Sequence, residues 1–339
     1  MSPNQARTHG LGKLEPLVRF VEQPEDPAPK EVGSKIDRHG LDSIWSAMAL
    51  AAARSIRPEG SAAPLAPWAL QAARQLVEDS GVTQKEAETR NLVLDLLGVL
   101  RREIQDRAFR LPDFDEPAVG TKEEATYAFL ESVRAGEPDI ADQRFQWIAR
   151  DLTREQATDL LLSVALPKFI HRVESLIAPV ESLSQLQWVG WEQAPLLLRS
   201  VVRMQATVTG PTDIYDQACH VVSARQLLRL AARRAPGAVA LGEKDAPAFF
   251  RLATEWAEAD GDGRLVVVAS ALATGQSVED VADAIATGGT LLFLQEGLRG
   301  GSGGWTTTQA DSLAAVLRSS HALRRMVKIA TPGQRILGL

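Results

Sequence analysis

Thr83-Gln-Lys-Glu86, Thr121-Lys-Glu-Glu124 and Thr153-Arg-Glu-Gln156 each place a threonine three residues before a glutamate or glutamine. At that spacing the hydroxyl accepts from an orphan amide of the first turn and the longer side chain reaches back to the cap residue, so each marks a helix start. The first leads into Leu92, Val93, Leu96, Leu97, Leu100 and Ile104, which recur at helical period. Leu41 to Ile56 is Ala-rich, and Trp68 to Val77 opens behind Pro67, a favourable first-turn residue. The apolar residues are mainly Leu, Ala and Val, with only two Tyr and nine Phe, which favours helices over strands. Leu265-Val-Val-Val268 alone has strand-like composition, and its setting predicts a buried helix. The expected fold is all-α.

Residues 1 to 35 contrast with this pattern. Prolines and acids crowd Gln23-Pro-Glu-Asp-Pro-Ala-Pro-Lys30, which predicts an extended or disordered arm. Further on, Pro167 and Pro195 mark helix boundaries or kinks, and Thr207-Val-Thr-Gly-Pro211 interrupts the helical pattern. The expected organisation is therefore an arm over 1–35, a first helical half over 36–205 and a second over 212–334.

The halves are related in sequence. Placing Thr153 on Ser277 brings Glu155 onto Glu279, Asp159 onto Asp283 and Leu161 onto Ile285, with matches continuing from Ile148-Ala149 to Phe169-Ile170. A repeat of roughly 120 residues predicts an antiparallel helical array with an internal duplication of several helices. A pocket is expected where the halves meet.

Charge and cysteine content exclude several function classes. The net charge is −6, against a general nucleic-acid binder, and the basic pairs Arg101/Arg102, Arg233/Arg234 and Arg324/Arg325 read as solvated faces. One cysteine, Cys219, permits neither an internal disulfide nor a thiolate metal cluster. The N-terminal segment has no signal-peptide core and no apolar run is long enough to span a membrane, so the expected location is the cytoplasm.

Candidates for chemistry are few. The chain has five histidines, and His39, His171, His220 and His321 lie near predicted helix ends, from which a helical bundle could converge them on a metal. His171 has Glu174 one turn later and His220 has Asp216 one turn earlier, pairings suited to a ligand with its supporting carboxylate or to acid–base work. These four residues are the catalytic candidates, with a transition metal, iron first, as the expected cofactor. Neither Glu-x-x-His nor His-Glu-x-x-His occurs. Trp188, Trp191 and Tyr215 are candidates for an aromatic substrate wall, with Arg199 or Glu192 orienting the ligand. Gly297 to Gly304 formally contains Gly-x-Ser-x-Gly but follows a helix and lacks a phosphate-binding lysine, so it reads as a loop that could cover a pocket with Trp305. Glu258-Ala-Asp-Gly-Asp-Gly263 starts like a calcium loop but puts Ala269 where a bidentate glutamate is required.

The leucine-rich helix from Leu160, the following His171, and Gly190-Trp191-Glu192 leading to Leu197-Leu198-Arg199-Ser200-Val201-Val202 resemble a helical domain that accompanies Rieske-type iron–sulfur modules in bacterial proteins. The Rieske ligands themselves are missing, and Gln295 stands where His171 would recur in the second half. The resemblance implies helical architecture and an association with redox chemistry in specialised metabolism. The leading expectation is thus an oxidoreductase or oxygenase acting on a small organic molecule. The alternative is a non-catalytic helical-repeat protein that binds a small ligand, a protein partner or a second copy of itself, with no nucleic acid and no membrane as partners.

Overall fold

The computed structural model describes residues 11–55, 66–81, 87–104, 111, 120–149, 152–169, 172–210, 212–232, 246–299 and 307–339. Among them every regular element is helical, and the chain is all-α. No helix among them is long and apolar enough to cross a membrane. Two compact units divide the chain: the first comprises 1–154 with 181–207, the second 155–180 with 208–339. The boundaries expected at 36–205 and 212–334 miss an exchange, because residues 155–180 belong with the second unit.

The first unit begins with α1 (Glu15–Val21), α2 (Pro29–His39) and α3 (Leu41–Ser55). This corrects the expected arm, of which residues 1–10 lie outside the described residues. Leu17, Val18, Phe20 and Val21 of α1 and Val32 and Ile36 of α2 are buried. Pro29 does not block α2 but opens it, at a position whose missing N–H would be unpaired anyway. Trp45, Ala47, Met48, Leu50 and Ala51 make α3 apolar nearly all round, the signature of a core helix. It packs against α1 and α2, and against α4 (Ala66–Ser80) and α5 (Ala87–Glu103).

Arg101 fastens the N-terminal helices to α5. It is 4% exposed, against the solvated face expected for Arg101/Arg102. Its guanidinium donates to the carbonyls of Phe20 at 2.5 Å and Val21 at 3.1 Å, and to that of Glu25, and lies 5.1 Å from the Phe20 ring centre. The Phe20 and Val21 carbonyls lie in the last turn of α1, and that of Glu25 lies in the link to α2. A lysine carries its donors at one point and cannot fork across three acceptors. Arg101→Lys is expected to cost about 1–2 kcal/mol and to expose residues before Ala28 to limited proteolysis under native conditions.

The rest of the first unit centres on α6 (Lys122–Ala135) and α7 (Pro138–Ile148). The Thr121–Glu124 capping box forms as expected, at 3.2 Å and 2.8 Å; that at Thr83–Glu86 lies outside the described residues. Gly136 at φ +76° ends α6 in the left-handed conformation, and α7 starts two residues later at Pro138. Phe129 and Phe145 meet between them, ring centres 5.7 Å apart.

After α7, α8 (Arg154–Ala165) ends in a 3-10 turn containing Pro167, as the sequence predicts. Next, α9 (Glu174–Val189) carries the chain back to the first unit, where α10 (Ala194–Leu197) and α11 (Arg199–Thr207) follow. The second unit continues with α12 (Asp213–Ala224), α13 (Leu227–Ala232), α14 (Ala246–Glu258), α15 (Gly261–Thr274), α16 (Val278–Arg299), α17 (Thr307–Ile329) and α18 (Pro332–Gly338). Leu265 to Val268 lies in α15 and is helical as expected, but only part of it is buried: Val268 is covered and Val266 is exposed. The calcium-like acids before it serve as a cap, with Asp260 accepting from the Gly263 amide at 2.8 Å. Ser277 caps α16 through the Asp280 amide.

In the register of Thr153 on Ser277, α6, α7 and α8 correspond in order to α14, α15 and α16. Their packing differs. Most of α8 falls in the second unit while α6 and α7 lie in the first, and α16 packs directly on α14 within one unit.

Candidate functional site

A pocket with polar and charged lining lies within the second unit and is built by α14, α16 and α17. Two adjacent glycines set its geometry. A Cβ on Gly288 would stand 2.8 Å from the Ala253 carbonyl and 2.8 Å from the Trp256 ring, so α16 crosses α14 at backbone contact. A Cβ on Gly289 would meet the Ser320 Oγ at 3.0 Å, so the same point of α16 also lies close to α17. Arg264 stacks 4.9 Å from the Trp256 ring centre and donates to the Trp256 carbonyl at 3.2 Å, bracing the ring that fills the Gly288 gap.

Beside this crossing the helices frame a cavity of about 400 Å³. From α16 come Asp283, Ala286, Thr287 and Thr290, one face at helical spacing. From α17 come Leu317, Ser320, His321 and Arg324, and α14 adds Phe249. The hydroxyls of Thr287, Thr290 and Ser320 each donate at 3.0 Å to a carbonyl of their own helix. Their hydrogens are thus engaged, and their oxygens remain as acceptors. The Arg324 Nε donates to Asp283 Oδ1, and among the described residues no other acceptor meets its guanidinium, which leaves the two Nη groups for a ligand.

His321 is exposed along one edge, but the wall behind it withdraws water from the ring. Burial lowers its pKa below the ordinary 6.5, and Arg325, Arg324 and Lys328 push in the same direction. At neutral pH the imidazole is therefore neutral, with one donor and one acceptor. A base depressed in the folded state binds fewer protons there than when unfolded, so stability is undiminished above pH 6.5 and is lost as the pH falls through the depressed value. In urea titrations over this acid range, His321→Gln is expected to flatten the decline in midpoint, while the two proteins converge above neutrality.

The other expected site residues do not line this pocket. His39 is exposed at the end of α2 in the first unit, and His220 is exposed on α12 in the second. Asp216 closes the first turn of α12, accepting from the Thr212 hydroxyl at 2.8 Å. His171 lies outside the described residues, and Glu174 pairs with Arg172 at 3.6 Å. Among the described residues no three His, Cys, Asp or Glu side chains are grouped so as to hold a metal ion.

The residues expected to form an aromatic wall do not line this pocket. Trp188 donates to Gln71 Oε1 at 3.0 Å and Arg74 lies 4.7 Å from its ring centre, which ties α9 to α4. Trp191 is half-buried in the 3-10 turn before α10, within the same unit as Trp188. Tyr215 belongs to the second unit, where burial pushes its hydroxyl up to about 12, helped by the neighbouring Cys219 and Asp216. Arg199 is no ligand clamp. It is 2% exposed and grips Asp142 through Nε at 3.0 Å and Nη2 at 2.9 Å.

Of the residues singled out for chemistry in the sequence, His321 alone lines the pocket. Asp283 was marked by the repeat, but as a counterpart of Asp159 and not for chemistry; Asp159 itself accepts from Thr331 at 2.7 Å. Arg324 was marked only as half of a basic pair on a solvated face, and Phe249 and Thr287 carry no sequence signal beyond helical spacing, although the mid-helix pair Gly288-Gly289 points to a close helix crossing. A further reactive candidate is Lys168 in the turn after α8, whose ammonium is lowered to about 8 by burial.

No protein-family model, curated protein or solved structure matches this chain. The resemblance to the Rieske-associated helical domain has no neighbour against which to be measured, and the reading of the site rests on its geometry.

Proposed function

We propose that this chain is a helical small-molecule-binding protein that holds an organic ligand in the pocket between α14, α16 and α17. The observation that carries the reading is the convergence of a neutral imidazole, an Arg–Asp pair and three acceptor hydroxyls on one cavity with apolar walls from Phe249 and Leu317. Its volume of about 400 Å³ suits a small organic molecule. Six of its nine lining residues are polar or charged, enough to fix a ligand's orientation against Phe249, Ala286 and Leu317.

A second reading, an enzyme, draws on His321: an imidazole kept neutral in a pocket is competent as a general base. The oxidative version built on His171, His220 and iron rests on the sequence resemblance, and no contact among the described residues adds to it.

A thermal-shift screen of organic acids, amines and neutral compounds tests the binding reading. A true ligand at about one hundred times its Kd stabilises the protein by roughly 2.7 kcal/mol. Thr287→Phe, which fills the cavity, is expected to abolish that shift. Shifts that survive Thr287→Phe would refute this pocket as the site. Elemental analysis and an absorption spectrum of untagged protein separate the second reading: stoichiometric iron would return weight to the oxidative enzyme.

A further inference from the structure

The chemistry of the pocket's wall goes further and, resting on the binding reading above, names the class of ligand. We propose that the cavity takes a small organic acid, its carboxylate held by Arg324 and His321 and its apolar body laid against Phe249 and Leu317.

The argument begins with charge. α17 presents Arg324, Arg325 and Lys328 within two turns after His321, and all three act on the imidazole as positive neighbours. The charged residue facing them from α16 is Asp283, which is paired with Arg324 through Nε. α14 contributes Phe249 to the lining, which is uncharged. At the His321 ring, which lines the pocket, Arg325, Arg324 and Lys328 act together as a positive field. An ammonium ligand would meet that field unfavourably, and an anion favourably.

Hydrogen-bond capacity gives the same sign. A carboxylate is acceptor-only, so it needs donors. The Nη groups of Arg324 form a planar fork that matches two carboxylate oxygens, and the neutral His321 supplies an N–H. Among the described residues the His321 ring has no hydrogen-bond partner, so that donor is available. The acceptor oxygens of Thr287, Thr290 and Ser320 sit on the same walls and suit a hydroxyl or amide N–H on the ligand body. Phe249 meets Phe250 edge-on at 5.5 Å, which presents an aromatic surface toward an apolar body.

A series with one body and three head charges tests the proposal: phenylacetate, phenylacetamide and phenylethylamine, titrated into full-length protein labelled at histidine Cε1. Phenylacetate is expected to move the His321 resonance and raise its pKa, with the amide and amine binding at least about tenfold more weakly. Asp283→Asn supplies the sign. It removes a negative charge from the head of the pocket yet still accepts from Arg324 Nε, so it should tighten phenylacetate by about fivefold. Arg324→Gln should weaken phenylacetate more than phenylacetamide, whose single carbonyl oxygen uses less of the fork. Equal affinity for acid and amide, or weaker phenylacetate in Asp283→Asn, would overturn the acid while leaving a binding pocket standing. No resonance shift at His321 with any of the three compounds would overturn both the acid and the binding reading.

Discussion

Arg199→Leu is expected to lower the unfolding free energy of the first unit by about 3–5 kcal/mol. The guanidinium and the Asp142 carboxylate are 2% and 0% exposed, and they meet through two donors, Nε at 3.0 Å and Nη2 at 2.9 Å. Burial pushes the Asp142 carboxyl up, and Arg199 and then Arg203 pull it back toward ionisation. Removing Arg199 leaves Arg203, 3.6 Å away and already bonded to Asp139 at 2.7 Å, as the remaining cation. The carboxylate must then stay charged with poor compensation or take up a proton at neutral pH. The double variant Arg199→Leu with Asp142→Leu is expected to recover most of the loss, because it removes both desolvated charges and keeps apolar volume. Urea denaturation followed by tryptophan fluorescence, with Trp45 buried in the same unit, reads both. A single variant within about 1 kcal/mol of wild type would mean that water reaches the pair. A double variant as unstable as the single would mean that the ion pair itself positions α11 on α7.

The same residue shows what the sequence could and could not convey. Arg199 stood out because it follows an aromatic turn, and an arginine after an aromatic segment is consistent with a ligand clamp. Its partner is 57 residues away in sequence, so only the packing of α11 on α7 distinguishes a clamp from a core ion pair. Local rules read well where the interaction is local. Thr121 with Glu124, Pro167 after α8 and Ser277 before α16 all act within one turn, and all were legible. The N-terminal segment was misread because its prolines were weighed only as helix breakers. Pro24 and Pro27 lie between α1 and α2, Pro29 begins α2, and the apolar residues of α1 precede them all.

The pocket was legible in one residue of nine. His321 could be marked by residue type, but Asp283, which shares a wall with it, is held by Arg324 across 41 residues. Helical spacing places Asp283, Thr287 and Thr290 on one face without saying whether that face meets solvent, a neighbour or a cavity. The remaining histidines were grouped because bundles can converge distant residues. Of the three that are described, His39 lies in the first unit and His220 and His321 in the second.

Gly288 and Gly289 lead to the other large effect, because adjacent substitutions in one helix should differ in cost. Any residue replacing a mid-helix glycine gains helix propensity, about 1 kcal/mol for alanine. At Gly289 that gain faces the Ser320 hydroxyl at 3.0 Å, which can rotate, and the Ser320 Cβ at 3.3 Å, which needs a shift of a few tenths of an ångström, so Gly289→Ala is expected to be near neutral. At Gly288 the obstacles are the Ala253 carbonyl and the Trp256 ring, both at 2.8 Å, and neither can turn away. The carbonyl belongs to the backbone of α14 and the ring is held under Arg264. Gly288→Val must therefore push α16 off α14, at a net cost of about 2–3 kcal/mol. Because Phe249 reaches the pocket from α14 while Asp283 and Thr287 reach it from α16, the same displacement should open the cavity and abolish ligand-dependent thermal shifts. Thermal unfolding of Gly288→Val, Gly288→Ala and Gly289→Ala, each with and without phenylacetate, measures both consequences. Equal behaviour at the two positions would show that the crossing relaxes freely, and the pocket's walls would then owe their spacing to something other than the glycine pair.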